Sequence, residues 1–176
     1  TTFHKSGWEQ YGKRMVETFL QHWPANIKIH LYCENVNTGL KDPRVVEHDI
    51  FSVCPQAKNF VAAHNNDYNN GIRNGVRDFK YDAIKFCYKV FAQCHRIKNS
   101  EADTLIFLDA DTVTFAEPPV RKLMDLLPDD NFTAYIGRPN NKKLPFAETG
   151  YIMYNLKHPN TRNFADVFED LYTTGK

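Results

Sequence analysis

The stretch from Thr104 to Pro119 constrains this chain more than any other: Thr-Leu-Ile-Phe-Leu-Asp-Ala-Asp-Thr-Val-Thr-Phe-Ala-Glu-Pro-Pro. Leu105 to Leu108 form an apolar run that ends on Asp109-Ala110-Asp111. A short run without polar alternation predicts a strand buried on both faces. Carboxylates at its C-terminal end stand where open α/β sheets hold their ligands. Residues i and i+2 of an extended chain point to the same side, so Asp109 and Asp111 aim at one object unless a turn begins between them. Two anions that close repel, and a divalent cation relieves the repulsion. Hard carboxylate oxygens suit Mg²⁺ or Mn²⁺, which keep waters and a substrate phosphate as further ligands. The plainer alternative is a turn in which one Asp caps the next element.

The segments before this stretch predict alternating strands and helices. Thr1 to Phe3 read as the end of a strand, and His4-Lys5-Ser6-Gly7 as a turn. Trp8, Tyr11, Met15, Phe19 and Trp23 recur at helical spacing. Ser6 is the expected N-cap, with Glu9 as its capping-box partner, and Pro24 ends the helix. Ile27 to Cys33 predicts the next strand, giving a right-handed βαβ unit. Its first loop lies at the ligand-binding sheet edge, yet Gly7 and Gly12 match neither the dinucleotide fingerprint nor the P-loop. Val45 to Val53 predicts a short strand or extended edge. A helix follows from Pro55 to about His64, and the Asn- and Gly-rich Asn65 to Gly75 predicts a surface loop, either a plain insertion or one that closes over a ligand. Tyr81 to Arg96 predicts a helix with Ile84, Cys87, Val90, Phe91 and Cys94 as its buried stripe. Asp82 or Lys85 on that helix reaches a phosphate or sugar, or else belongs to a solvated face.

Beyond the paired aspartates, Pro118-Pro119 opens a helix to about Leu127, and Phe132 to Gly137 predicts a strand. Arg138 to Pro145 reads as a polar loop carrying Lys142 and Lys143. Phe146-Ala-Glu-Thr-Gly150 leads into a second buried strand, Tyr151 to Tyr154, and a last amphipathic helix begins at Asn160 or Thr161.

With 176 residues, 42% of them hydrophobic, the chain suffices for one domain, residues 1–176, with a sizeable core. Its start without Met suggests a piece of a longer protein. A net charge of +1 points to no nucleic-acid or membrane partner, and no apolar run approaches the roughly 20 residues of a membrane span. Cys33, Cys54, Cys87 and Cys94 form no CxxC pair and read as core residues in a reducing, cytoplasmic compartment. The sequon Asn131-Phe132-Thr133 is read as a chance occurrence.

Asp-Ala-Asp after an apolar strand, followed by Thr-Val and a Pro-led helix, resembles the DxD motif of GT-A type glycosyltransferases. Glu148-Thr-Gly-Tyr-Ile-Met-Tyr-Asn155 is similar to the segment those enzymes place near the transferred sugar, and Thr-Thr-Phe-His-Lys with its helix is similar to their first nucleotide-binding βα unit. The resemblance spans essentially the whole chain. It implies a three-layer α/β/α Rossmann-like sheet, mostly parallel, and transfer of a sugar from a nucleotide diphosphate donor, most often UDP-linked, onto an acceptor. Asp111 is then a direct ligand of Mn²⁺ or Mg²⁺, and Asp109 shares the metal or holds the ribose. Thr2 and Phe3 line the base and ribose pocket, and Tyr11 stacks on the base. Lys85 meets the diphosphate, and Ala110 borders the donor. Glu148 is either the general base or a ligand of the donor sugar, and Thr149 and Gly150 allow close backbone approach to it. Asn155 is a structural strand cap or a weaker site residue. His158 sits too close to the strand to match the further metal-binding His of many retaining members.

Three rivals fit parts of the pattern. Haloacid dehalogenase-type phosphatases use an apolar strand ending in DxDx(T/V), with the first Asp, here Asp109, as nucleophile. Their motif usually lies on the first strand, and Thr112 stands where Gly is common. A sugar-1-phosphate nucleotidyltransferase needs a Gly-rich loop after the first strand, which these residues do not supply. A non-catalytic module that keeps the fold is the third.

Overall fold

The computed structural model describes residues 1–137 and 147–174. The predicted polar loop with Lys142 and Lys143 therefore lies outside the described residues. The chain is mixed α/β, with a parallel sheet formed first. Strands β1 (Thr2–His4), β2 (Ile29–Glu34) and β3 (Val45–Asp49) pair in parallel in the order β1-β2-β3, with Phe3 opposite Cys33 and Ile29 opposite Val45.

The crossover from β1 to β2 is helical but not regular. Helix α1 (Lys5–Gly7) passes into a wider π-type turn, Trp8–Gly12, and then into α2 (Lys13–His22). The expected Ser6–Glu9 capping box does not form. Helix begins at Lys5, immediately after β1, so Ser6 already lies inside it, and its hydroxyl meets His4 Nε2 at 3.0 Å instead. The buried face of this unit, Trp8, Met15, Val16, Phe19 and Trp23, packs on Phe3, Ile29, Leu31 and Cys33. That is the predicted stripe with Val16 added and with Tyr11, on the π turn, only partly buried.

Val45 to Val53 divides into β3 and one short helix, α3 (Ile50–Val53), because Asp49 caps it by accepting from the Ser52 amide at 2.8 Å. Helix α4 (Pro55–His64) follows. The expected surface loop at Asn65 to Gly75 is corrected: β4 (Asn70–Arg73) pairs antiparallel with β5 (Val76–Asp82). Asn74 and Gly75 both adopt positive φ, 52° and 76°, the tight turn that suits the right-handed twist of a hairpin.

Helix α5 (Ala83–Asn99) starts two residues later than predicted, since Tyr81 and Asp82 belong to β5. It carries the predicted stripe and adds Ala92, Gln93 and Ile97 to it. One side packs with Tyr32, Ile50, Ala57 and Phe60, the other with Tyr154, Leu156 and Ala165. Truncating Phe91, which is 2% exposed at the first of these contacts, costs about 3–5 kcal/mol on general grounds.

Strand β6 (Thr104–Leu108) is the predicted apolar run, but the expected burial on both faces is corrected: only Phe107 is buried, and its neighbours are partly exposed. The proline-led helix is shorter than expected, α6 (Val120–Asp125), with Pro118 and Pro119 preceding it. Strand β7 (Thr133–Ile136) and strand β8 (Glu148–Asn155) complete an antiparallel sheet in the order β6-β8-β7, and α7 (Asn160–Thr174) closes the chain. The expectation of a mostly parallel sheet is thus corrected: of the three hydrogen-bonded sheets among the described residues, the first is parallel and the other two are antiparallel. Leu108 lies opposite Tyr151, and this antiparallel pairing carries the N-terminal end of β8 to the C-terminal tip of β6. Among the described residues no helix is long and apolar enough to cross a membrane.

Candidate active site

The tip of β6 opens onto a cleft of about 650 Å³. The cleft collects Thr2, Phe3 and Tyr11 from the first βα unit, Lys85 from α5, and Asp109, Ala110 and Asp111. These residues, far apart in the chain, thus share one cleft, whose lining does not include the other expected site residues Glu148, Thr149 and Gly150.

The aspartates lie on a turn, not an extended segment. The Thr112 amide donates to the Asp109 carbonyl at 3.1 Å, so the chain reverses across Ala110 and Asp111. Both side chains still line the cleft. The next residues are pinned. Trp23 Nε1–H donates to Thr114 Oγ1 at 3.1 Å, and the Thr114 amide donates to Thr18 Oγ1 at 3.2 Å.

Antiparallel pairing brings the Glu-Thr-Gly segment to Asp109. The Asp109 amide donates to the Gly150 carbonyl at 2.9 Å. The Gly150 amide in turn donates to Glu148 Oε1 at 3.0 Å. A Cβ on Gly150 would lie 3.1 Å from both Asp109 Oδ2 and Glu148 Oε1, so the small residue is needed for this approach. Thr149, between them, is exposed. Asn155, at the far end of β8, is structural: its side chain donates to the Asp129 carbonyl at 3.3 Å and accepts from the Lys157 amide at 3.1 Å.

Lys89, one turn beyond Lys85 on the same helix face, was not among the expected site residues. Its ammonium forms an ion pair with Asp109 Oδ1, an oxygen shielded from solvent and without an aligned hydrogen bond. The signal was present, since Lys85 and Lys89 share a helix face. Asp82 is not part of a solvated face. It is 1% exposed, caps α5 by accepting from the Lys85 amide at 2.7 Å, and pairs with Arg77 at 2.5 Å. Phe3 is a core residue as much as a cleft residue, packed edge-on against Trp8 at 5.5 Å.

The π turn carries Tyr11. Its phenol is pushed above the usual range, first by burial and then by the negative charges of Asp111 and Asp109, so it stays protonated as a donor. Single π turns occur often at functional sites. Glu34, Tyr32 and Tyr88 also line the cleft and went unremarked in the sequence. The four cysteines are buried, free and unreactive, because burial pushes each thiol up to about 12.

Among the described residues no three His, Cys, Asp or Glu side chains group into a complete metal cage. The two carboxylates of Asp109 and Asp111 fit a hard divalent ion that takes its remaining ligands from water and a phosphate.

A parallel sheet opening onto this cleft, with an antiparallel sheet delivering a second segment to its edge, is a fold that glycosyltransferases carry. The chain is similar to mouse xyloside xylosyltransferase 1 in its apo form, at 13% identity and a TM-score of 0.58, over 99% of this chain and 72% of that one. It is also similar to the apo bifunctional glycosyltransferase WbbM, at 14% identity and a TM-score of 0.55, over 97% of this chain and 33% of that one. No family model and no curated protein matches the sequence. At these identities the likeness is one of fold.

Proposed function

We propose that this chain is the nucleotide-sugar-binding part of a GT-A type glycosyltransferase, moving a sugar from a nucleoside diphosphate donor, a UDP-sugar, to an acceptor. One observation carries the reading: the Asp-Ala-Asp turn lines the cleft, and the Glu-Thr-Gly segment, 37 residues or more away in the sequence, is hydrogen-bonded beside it through the Asp109 amide and the Gly150 carbonyl. The similar solved structures are described as glycosyltransferases, which supports sugar transfer and gives the phosphatase reading no support.

In this reading the sheets β1-β2-β3 and β6-β8-β7 are the two parts of one GT-A-type sheet. Thr2 and Tyr11 border the base and ribose. Lys85 and Lys89 supply positive charge to the diphosphate, with Lys89 also orienting Asp109. Asp109 and Asp111 would hold Mg²⁺ or Mn²⁺, and such an ion would supply Lewis acidity to a diphosphate leaving group. Gly150 allows the donor sugar to approach the backbone. Glu148 is the acceptor base or a donor-sugar ligand in this reading, depending on which hydroxyl comes within about 3 Å of it.

A thermal-shift screen tests the proposal. UDP with Mn²⁺ is expected to raise the melting temperature more than UDP or Mn²⁺ alone. The proposal falls if no nucleoside diphosphate, with either metal, stabilises the protein.

A further inference from the structure

Four of the twelve large apolar side chains left exposed among the described residues fall within residues 68–81: Tyr68, Val76, Phe79 and Tyr81. Tyr68 and Tyr81 have a partner, since the Arg73 guanidinium lies 3.4 Å and 5.4 Å from their ring centroids. Phe79 has no ring or cation partner among the described residues. It is 59% exposed, and it lines the cleft together with Asn70 and Arg77.

The backbone turns Phe79 out on purpose. Strand β5 leaves the ladder register between Arg77 and Asp82. The opposite strand accommodates the irregularity at Gly71, whose φ is +74° and where a Cβ would lie 2.5 Å from the Asp78 carbonyl oxygen. Bulges of this kind re-aim side chains beside active sites.

We propose that Phe79, Asn70 and Arg77 form the acceptor subsite of the cleft, with the phenyl ring stacked on the C–H face of a pyranose. This rests on the glycosyltransferase reading above. A pyranose offers an apolar face and a rim of hydroxyls that both donate and accept. Phe79 supplies the apolar wall. The Asn70 amide nitrogen is committed to Asn65 Oδ1 and the Asn66 carbonyl, both at 2.8 Å, which leaves its oxygen to accept from a hydroxyl. Arg77 commits one guanidinium nitrogen to Asp82, which leaves further donors of its fork. The base and the diphosphate have other partners: Tyr11 and Tyr32 line the β1–β2 side, and Lys85 and Lys89 supply the cations.

Saturation-transfer NMR tests this, using the methyl glycosides of glucopyranose, galactopyranose and xylopyranose, with UDP and Mn²⁺ present. At least one glycoside is expected to receive saturation at its ring protons. Phe79→Ala is expected to weaken that glycoside about tenfold while UDP affinity stays within about twofold. Phe79→Tyr keeps the ring and retains binding. Gly71→Ala, which displaces the bulge without touching the ring, weakens the glycoside as well. The proposal is overturned if the parent protein binds none of the three glycosides, or if Phe79→Ala binds them unchanged. It is equally overturned if Phe79→Ala loses UDP instead, which would make Phe79 a wall of the base pocket. Glycoside binding without any UDP binding supports this subsite and removes the donor reading.

Discussion

The amide of Asp109 donates to the carbonyl of Gly150 at 2.9 Å, tying the tip of β6 to the start of its antiparallel neighbour. The same contact is close-packed, because a methyl group at residue 150 would sit 3.1 Å from Asp109 Oδ2 and Glu148 Oε1, which would have to give by a few tenths of an ångström. Gly150→Ala is therefore expected to push both carboxylates aside. UDP affinity in the presence of Mn²⁺ should fall about tenfold, measured by calorimetry, while the protein loses no more than about 1–2 kcal/mol of stability. Unchanged affinity would separate Gly150 from the donor site.

Asp111 is exposed, so its charge can be removed without disturbing packing. Asp111→Asn is expected to abolish Mn²⁺-dependent UDP binding and to leave the melting temperature of the free protein within about 2 °C of the parent, as for a surface substitution. A variant that still binds UDP and Mn²⁺ like the parent removes the role given to Asp111.

Asp82 has a structural role in addition to its place in the cleft lining. Its carboxylate caps α5 at the Lys85 amide and holds Arg77 of the hairpin, while remaining 1% exposed. Asp82→Ala is expected to cost about 1–2 kcal/mol, and Asp82→Asn less, because an amide oxygen still caps the helix. Urea midpoints of the two variants decide it. Equal losses would mean that the ion pair with Arg77, not the cap, dominates.

Acid is expected to weaken the fold through a histidine stack. His30 Nδ1 meets His48 Nε2 at 2.9 Å, the two rings stack at 5.2 Å, and Tyr32 OH meets His95 Nδ1 at 2.7 Å. Burial first, then the Arg96 guanidinium and His48, lowers His30 to about 4 from 6.5. His48 and His95 are lowered too, again chiefly by burial. A base whose folded pKa is depressed is neutral in the fold while the unfolded chain takes up protons. Stability is thus complete above about pH 6.5 and falls as the pH drops toward 4. With solvent screening, the His30 contribution is on the order of 1–2 kcal/mol. Urea midpoints at pH 7 and 4.5 should differ more for the parent than for His30→Asn. Equal differences would exclude the stack as the cause.

The parts of this fold that could be read in the sequence were those whose burial is regular. The stripe of α5 has one dominant period and appears as expected, whereas the apolar run of β6 gave the strand but not its burial, since only Phe107 is buried. The two aspartates that follow it line the cleft. The hairpin was missed because its residues face solvent and a cleft, so its strands lack the alternation that marks a half-buried sheet. Its Asn74-Gly75 turn was the available signal. The capping box failed because a helix that starts directly from a strand and passes through a π turn has no separate capping residue. Sheet direction was not legible, since β6 has the same all-apolar character whether its partner runs with it or against it. Lys89 lost to Lys85 because helical spacing shows which face a lysine shares but not how far along the axis the carboxylate lies.

Thr114 is fastened to one helix at both its amide and its hydroxyl, by Thr18 and Trp23. The backbone leaving the aspartate turn is therefore tied to the first βα unit at this residue before any ligand arrives. Uptake of a donor need not freeze that stretch, so its unfavourable ordering entropy should be small, and whatever ordering occurs belongs to the opposite wall.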